Sequence, residues 1–436
     1  MQTRSRTAKP EPPSGEKAEL STQPQHAHVL VAGTGPAGMI AALALSRVGF
    51  KVTLAGPDVS VGDGRTTALM NPALAMLDRL GVLEKVKPQA APLKVMRIVD
   101  ATRRLVRSPT VTFRASEIGE ERFGLNMPNA VLNKVLGEAV AAEPGIEWRR
   151  SLVAEWNLGG ERAAATLADG SEVCAALAVA ADGRLSPARR AAGIDVSSHA
   201  YPQAALVLNF SHRSEHGFVS TEFHTETGPC TQVPLPGNRS SLVWVVRPET
   251  AAELAALDDA TLSLRIEERM QSMLGRVSVD SGRQIYPLST STPRRFAARR
   301  VALVGEAAHV FPPIGAQGLN LGIRDVSDLA AIAGLHREDP GTPAALAAYD
   351  ARRRPDILAR TNAVNLLNRS LLSDMLPAQM ARSTGLALLR SFGPLRALFM
   401  REGLHPGSGF SALAGTLDHD AEKREAAFGR RHGLSN

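Results

Sequence analysis

The chain has 436 residues, 44% of them hydrophobic and 21% charged, an ordinary globular composition with room for two sizeable cores. Two cysteines, Cys174 and Cys230, exclude a disulfide framework, and neither has the CxxC or His-rich neighbourhood of a metal site. The formal charge is +7, but no low-complexity basic run, zinc finger or RNP box accompanies it, so no nucleic-acid partner is expected. The basic excess is local: residues 351–405 hold nine Arg against three acids. A solvated Arg-rich face and a surface for a membrane or an anionic partner both fit that bias.

Residues 1–25 are rich in Pro, Ser, Gln and charge and read as a disordered tail. They lack the apolar core of a signal peptide and, with Glu11, Glu16 and Glu19, the acid-poor character of a transit peptide. The most apolar stretch, 28–46, is broken by three glycines and a proline and does not read as a membrane span. It reads as strand, turn and helix. An apolar run from His28 suits a buried parallel strand. Gly33-x-Gly35-x-x-Gly38 then turns the chain into a helical run over 39–48, and a second strand follows over 51–55. Gly33 allows the tight turn, Gly35 lets the backbone approach a pyrophosphate, and Gly38 lets the helix pack close to the strand. The helix start would face the phosphates with free N–H groups. The acid expected after the second strand, to bond a ribose, falls at Gly56, with Asp58 two residues further on.

A second buried strand, 177–181, ends in Asp182-Gly183, where Asp182 either serves the nucleotide or caps a following helix. Between about 200 and 287 the pattern changes. Strands at 232–235 and 241–246 flank a Pro236-Gly-Asn238 turn, a short strand covers 286–288, and a helical run spans 254–274. These predict a separate antiparallel sheet. A third buried strand, 301–304, ends in Gly305-Glu306, and a glycine-rich stretch from Pro312 to Gly322 leads into a helix running to about 335. Its glycines free backbone amides beside a helix start. Beyond 349 the chain reads as helices in which Leu, Met and Phe interleave with Arg382, Arg390, Arg396 and Arg401. That pattern suits packing against the body, or an apolar, basic face toward a membrane or an isoprenoid tail.

The GxGxxG turn, Asp182-Gly183 and Gly305-Glu306, in this order, resemble the FAD-dependent monooxygenases of the para-hydroxybenzoate hydroxylase class, with Glu306 where that class carries Asp. Four segments narrow the resemblance to the ubiquinone-biosynthesis flavin hydroxylases. They are Asp63-Gly-Arg65-Thr-Thr-Ala-Leu-Met70, Phe123-Gly-Leu-Asn-Met-Pro-Asn129, Pro313-Ile-Gly-Ala-Gln-Gly-Leu-Asn-Leu-Gly-Ile-Arg-Asp325, and Thr384-Gly-Leu with Pro394-Leu-Arg396 and Met400-Arg401. The likeness runs over residues 28–405.

The resemblance implies an α/β fold: a Rossmann-like FAD-binding domain with a parallel sheet (26–200 and 288–350), an antiparallel-sheet substrate domain (201–287), C-terminal helices (351–420) and a flexible end (421–436). It implies FAD contacts at Gly33, Gly35, Gly38, Arg65, Asn129, Asp182, Gly183, Gly305, Glu306, Gln317, Gly318, Leu319 and Asn320. Arg65 also suits a surface ion pair, and Asn129 also suits a cap for a helix over 130–140. A substrate pocket would draw on Phe223, His224, Tyr286 and Pro313, with Tyr201 and Trp244 as further candidates, although each aromatic equally suits core packing. The implied activity is hydroxylation of a polyprenylated phenol in ubiquinone biosynthesis through a flavin C4a-hydroperoxide. Molecular oxygen would be co-substrate and NADPH, NADH or a protein electron donor the reductant. No metal is needed. His309 is either a proton-relay member or a hydrogen-bonded structural His. A cytoplasmic protein, peripheral at the inner membrane or in a biosynthetic complex, follows from such a substrate. Three other functions fit the same pattern: a hydroxylase of small free phenols or natural products, a flavin-dependent isoprenoid reductase, and a flavin-free lipid-escort module.

Overall fold

A computed structural model describes residues 27–58, 64–103, 107–280, 282–313, 318–372 and 376–404. The expected tail at 1–25, the flexible end at 421–436, the stretch 405–420 of the expected helical region, and Gln317 lie outside the described residues.

The apolar run after the N-terminal segment forms strand His28–Ala32 at the centre of a six-stranded sheet. It is flanked by Leu177–Ala180 on one side and Lys51–Ala55 on the other, both parallel to it, with Val29 opposite both Leu177 and Val52. A strand with parallel neighbours on both edges and helices on its faces must be apolar throughout, which is why this run does not alternate. The sheet continues outward to Ile146–Arg149 beyond one neighbour and to Val301–Leu303 beyond the other. Helix Pro36–Val48 starts with Pro in its first turn and stops at Gly49, whose φ of 107° lies in the left-handed region. It buries Met39 through Leu45, and helix Gly318–Leu335 lies against it.

The second sheet has eight strands. Its longest strand, Val196–His212, pairs with Arg239–Val246 on one side and Gln284–Pro293 on the other. Gly228–Leu235, Val219–Thr225, Val95–Asp100 and Val111–Arg114 follow in that order. Two of its strands therefore come from residues 95–114, far upstream of the segment expected to build this sheet, and Val95–Asp100 joins it parallel to Val219–Thr225. The strand expected at 286–288 extends over ten residues. The single helix expected over 254–274 is two, Pro248–Ala256 and Asp259–Arg269, because the Asp258 carboxylate accepts the Thr261 N–H at 2.8 Å and caps a new helix.

Strand alternation gives this sheet two distinct faces. Leu206, Phe223, Cys230 and Trp244 point to one face and pack under the two helices with Leu254, Leu262 and Ile266. Burial pushes the Cys230 thiol up to about 12. Cys174 is exposed, and both cysteines are free. Glu222, Thr231, Ser241, Val243 and Tyr286 share the opposite face. That face meets a three-stranded antiparallel sheet of Thr66–Met70, Gly124–Pro128 and Ala91–Leu93: Thr66 Oγ1 donates to Ser241 Oγ at 2.9 Å and Asn126 Nδ2 to the Pro234 carbonyl at 2.8 Å.

The chain ends its described course in helices Pro343–Leu372, Leu376–Ser391 and Gly393–Leu404. Leu386, Leu389, Ala397 and Met400 close over Val111, Phe113 and Phe123. No helix among the described residues is long and apolar enough to cross a membrane.

Candidate functional site

Three neighbouring strands of the parallel sheet, His28–Ala32, Leu177–Ala180 and Val301–Leu303, each end in one of the sequence motifs. Parallel order brings all three turns to one edge, the carboxyl edge, where ligands bind in open α/β sheets. The turns interlock. The Gly33 N–H donates to the Ala55 carbonyl at 2.8 Å, the Ala181 N–H to Ala32 at 2.8 Å, and the Val304 N–H to Ala180 at 3.0 Å.

The glycines of the first turn divide into two kinds. A Cβ on Gly33 would lie 2.2 Å from the Ala181 carbonyl oxygen at φ +115°, and one on Gly38 would lie 1.9 Å from the Gly33 oxygen. Those two hold the turn and the helix against the sheet. Gly35, by contrast, has nothing within 4 Å of an added Cβ. It opens onto space at the start of helix Pro36–Val48, where free N–H groups and the helix dipole favour phosphate. Gly183 and Gly318 open in the same way.

Asp182 accepts the Ala188 N–H through Oδ2 at 3.0 Å, while its buried Oδ1 has no partner among the described residues. The cap of helix Pro187–Ala191 is Ser186, whose hydroxyl accepts from Arg189 N at 3.0 Å. One carboxylate oxygen of Asp182 thus stays available beside Gly183. Glu306 is exposed, with no hydrogen bond among the described residues, on the turn that begins at Gly305 with φ +61°. A hydroxyl-rich, phosphate-bearing ligand with a planar ring fits this set: an open glycine cradle for phosphate, two free acceptors for hydroxyls, and two open glycines against which a flat ring can lie.

Sequence reasoning did not anticipate the buried charges that fix these turns. Arg189 is buried and donates to the Ala307 carbonyl at 2.7 Å and to the Arg184 carbonyl at 2.9 Å, tying the Asp182 turn to the Gly305 turn. Burial lowers its pKa from the ordinary arginine value, against the pull of Asp182. Asp325, fully buried on helix Gly318–Leu335, accepts from Gly305 N at 3.0 Å, His309 Nε2 at 2.7 Å and Arg353 Nε at 2.8 Å. The Arg353 Nη1 reaches Asp328 and Asp356, each at 3.0 Å. Burial disfavours the Arg353 charge, but Asp325, Tyr349, Asp356 and Asp328 outweigh it and raise its pKa. Arg353 belongs to the Arg-rich region, yet it is only 1% exposed. A signal existed: Tyr349, Arg353 and Ile357 recur every four residues on one helix face, and all three are buried.

Other expected site residues sit apart from the open edge or serve the scaffold. The Asn320 side chain bridges the backbone of strand Thr66–Met70, accepting from Met70 N and donating to Ala68 O, each at 2.8 Å. Leu319 packs on the core. Asn129 opens helix Asn129–Ala142, whose cap is Pro128, and its side chain accepts from Thr67 Oγ1. Arg65 lies over the Tyr286 ring, 5.5 Å from the centroid, where the two sheets meet. Pro313 is exposed just before the undescribed residues 314–317. Phe223 and Trp244 lie on the helix-covered face of the second sheet and so belong to its core. His224 is buried and pairs with Glu222 at 2.7 Å, and the Tyr201 hydroxyl bonds Thr290 at 2.8 Å. At Gly56, a Cβ would meet the Thr34 side chain at 2.8 Å, so no acid fits there. Asp58, the nearest carboxylate in sequence, is exposed and paired with Arg150 at 2.8 Å.

Comparison with known proteins agrees with this geometry. The family described as "FAD binding domain" matches residues 26–362. The ubiquinone hydroxylase UbiL of Rhodospirillum rubrum is 34% identical over 406 residues, covering 90% of this chain and 93% of that one. The 3-demethoxyubiquinol 3-hydroxylase of Escherichia coli is 29% identical over 385 residues, 85% of this chain and 97% of that one. Among solved structures, PqsL of Pseudomonas aeruginosa, described as a probable FAD-dependent monooxygenase, superposes with a TM-score of 0.71 at 25% identity, over 83% of this chain and 99% of that one. The protein belongs to the FAD binding domain family and, within it, to the ubiquinone-biosynthesis flavin hydroxylases.

Proposed function

We propose that this chain is the FAD-dependent hydroxylase that places an oxygen atom on the aromatic ring of a polyprenylated phenol in ubiquinone biosynthesis. The observation that carries the substrate class is the likeness to a ubiquinone hydroxylase over nine-tenths of the chain. Bound FAD would supply the path for two electrons from NADPH, NADH or a protein donor to molecular oxygen, one atom entering the ring and the other leaving as water.

The chain's own residues have the tasks of binding, orienting and excluding water. Gly33, Gly35 and Gly38, with the helix start behind them, would hold the pyrophosphate. Asp182 and Glu306 would accept hydroxyls of the sugar-like chain. Gly183, Gly305, Gly318 and the neighbouring Leu319 and Asn320 would border the ring, together with Gln317. Arg65 and Asn129 would fix the strand that crosses from the cofactor to the substrate side. The substrate ring would lie between the carboxyl edge and the inner face of the second sheet, near Tyr286, His224 and Pro313; Phe223 supports that sheet from its helix-covered face. His309 is held by Asp325 with its Nδ1 buried and unpartnered, which suits orienting the Gly305 turn better than carrying protons. A polyprenyl tail partitions into the bilayer, so the enzyme would work at the membrane surface as a peripheral protein, alone or within a biosynthetic complex.

The test is turnover of a polyprenylphenol with oxygen uptake and product mass followed together. Product gaining one oxygen atom per oxygen molecule consumed supports the hydroxylase. Reduction of the tail without oxygen uptake identifies an isoprenoid reductase instead. Protein that stays colourless after FAD is added points to the escort module.

A further inference from the structure

Strand Val111–Arg114 is the outer edge of the second sheet, and helices Leu376–Ser391 and Gly393–Leu404 fold against it. Between them lies a cavity of about 460 Å³ lined by Thr110, Thr112, Arg390 and Arg396. It is distinct from the carboxyl edge of the parallel sheet, and nothing in the flavin chemistry uses it. Arg396 is fixed in place: Nε donates to Glu117 at 2.6 Å, and Nη1 donates to the Leu389 and Arg390 carbonyls at 3.0 and 2.9 Å. Arg390 is exposed and has no acidic partner among the described residues. Arg390 and Arg396 thus line the cavity together with the two threonines, and Glu117 is the carboxylate that holds Arg396. Two hydroxyl donors among guanidinium groups form a seat for phosphate.

The surroundings say which phosphate. Among the described residues, four of the twelve exposed large hydrophobic side chains fall between 380 and 399: Met380, Leu388, Phe392 and Phe399. Met380 and Leu388 lie on helix Leu376–Ser391, and Phe392 follows its last residue. Phe399, 59% exposed, stacks on Phe113 with centroids 6.1 Å apart, next to the cavity's edge strand. A free anion leaves these apolar groups in water. A bilayer surface satisfies both, since its headgroups meet the arginines while Phe and Leu enter the acyl boundary.

We propose that this cavity seats the phosphate of an anionic phospholipid headgroup, and that the apolar side chains beside it enter the same leaflet. The inference rests on the reading of a membrane-resident substrate and adds the surface by which the enzyme reaches it. Holoenzyme sedimented with vesicles tests it. Vesicles containing phosphatidylglycerol should bind, and those of phosphatidylcholine alone should bind at least tenfold more weakly. Arg390→Ala should weaken binding to the anionic vesicles about fivefold, the value of one basic group at such a surface. The double variant Leu388→Ser with Phe392→Ser should weaken it further at high salt, where charge is screened. Both variants should retain bound flavin and hydroxylate a detergent-dispersed polyprenylphenol at the wild-type rate. Equal binding to both vesicle types, or undiminished binding by either variant, overturns the proposal. So does saturable binding of inorganic phosphate by a protein that ignores vesicles. Failure of the wild type to hydroxylate would instead strike at the assigned activity and leave the vesicle result standing.

Discussion

Gly33 and Gly35 stand two residues apart in one turn, and the structure assigns them opposite risks. Gly33 has φ +115° and carries its hydrogen where a Cβ would sit 2.2 Å from a backbone oxygen. Gly33→Ala therefore has to displace the Ala181 strand end, and it should lower the stability of the flavin-free protein by several kcal/mol. Gly35 has φ −68° and ψ 171°, which alanine adopts freely, and open space beyond. Gly35→Ala should leave the apoprotein's melting temperature within a degree or so while raising the FAD dissociation constant at least tenfold, about 1.4 kcal/mol. Calorimetry of the apoprotein and fluorescence titration with FAD separate the two; equal behaviour would remove the pyrophosphate from Gly35. This motif was legible in the sequence because its constraint is local: strand, turn and helix sit within thirty residues. Gly56 was legible only as a missing acid. The reason lies 22 residues upstream, in the Thr34 side chain that occupies the space, and no spacing rule reports that.

At the scale of elements, the fixed point is the contact between helices Gly318–Leu335 and Pro343–Leu372, made largely of charge. Arg353 is buried against Asp325, Asp328 and Asp356, whereas its neighbour Arg352 is 61% exposed and meets Asp328 at 2.7 Å. Removing one member of a buried pair strands the other, so Arg353→Met should cost about 3–5 kcal/mol. Arg352→Ala should cost under about 1 kcal/mol. Denaturant unfolding of the two variants checks the difference. The same cluster sets an acid limit. Burial favours protonation of Asp356, but Arg360, Arg324 and Arg353 outweigh it and hold its pKa below the ordinary carboxylate value. A depressed folded-state pKa gives stability that is fully present above the unfolded value of about 3.9 and lost as pH falls through the folded one. The melting temperature should therefore fall steeply below about pH 4, and Asp356→Asn should flatten that slope while lowering stability at pH 7. An unchanged slope would place the acid sensitivity elsewhere. The helices themselves could be read from their apolar period, but not this interface. Three consecutive arginines look like a solvated run, and only the four-residue recurrence of Tyr349, Arg353 and Ile357 marks the middle one as interior.

Across the whole molecule, the proposed cofactor edge is assembled from residues 33–38, 182–183 and 305–306, segments that share no local structure and meet only because three strands run parallel in one sheet. The sequence order of the motifs made that sheet foreseeable. The second sheet was less so, since strands Val95–Asp100 and Val111–Arg114 are short, lie far upstream and join through a parallel pairing that no turn announces. A site built from such distant segments exists only in the folded chain, so FAD should stabilise the fold by mass action. At a hundredfold excess over the dissociation constant the gain is about 2.7 kcal/mol, or about 3 °C in melting temperature for a domain of this size. Arg189 is the strut between two of those segments, bonded to carbonyls on both. Arg189→Met should leave a folded protein whose FAD-induced shift shrinks at a given FAD concentration, because the Asp182 and Gly305 turns no longer hold a fixed separation. Should the variant instead melt far below the wild type but keep an undiminished shift on adding FAD, Arg189 would be a strut for the fold alone, and the two turns would find their spacing from the sheet.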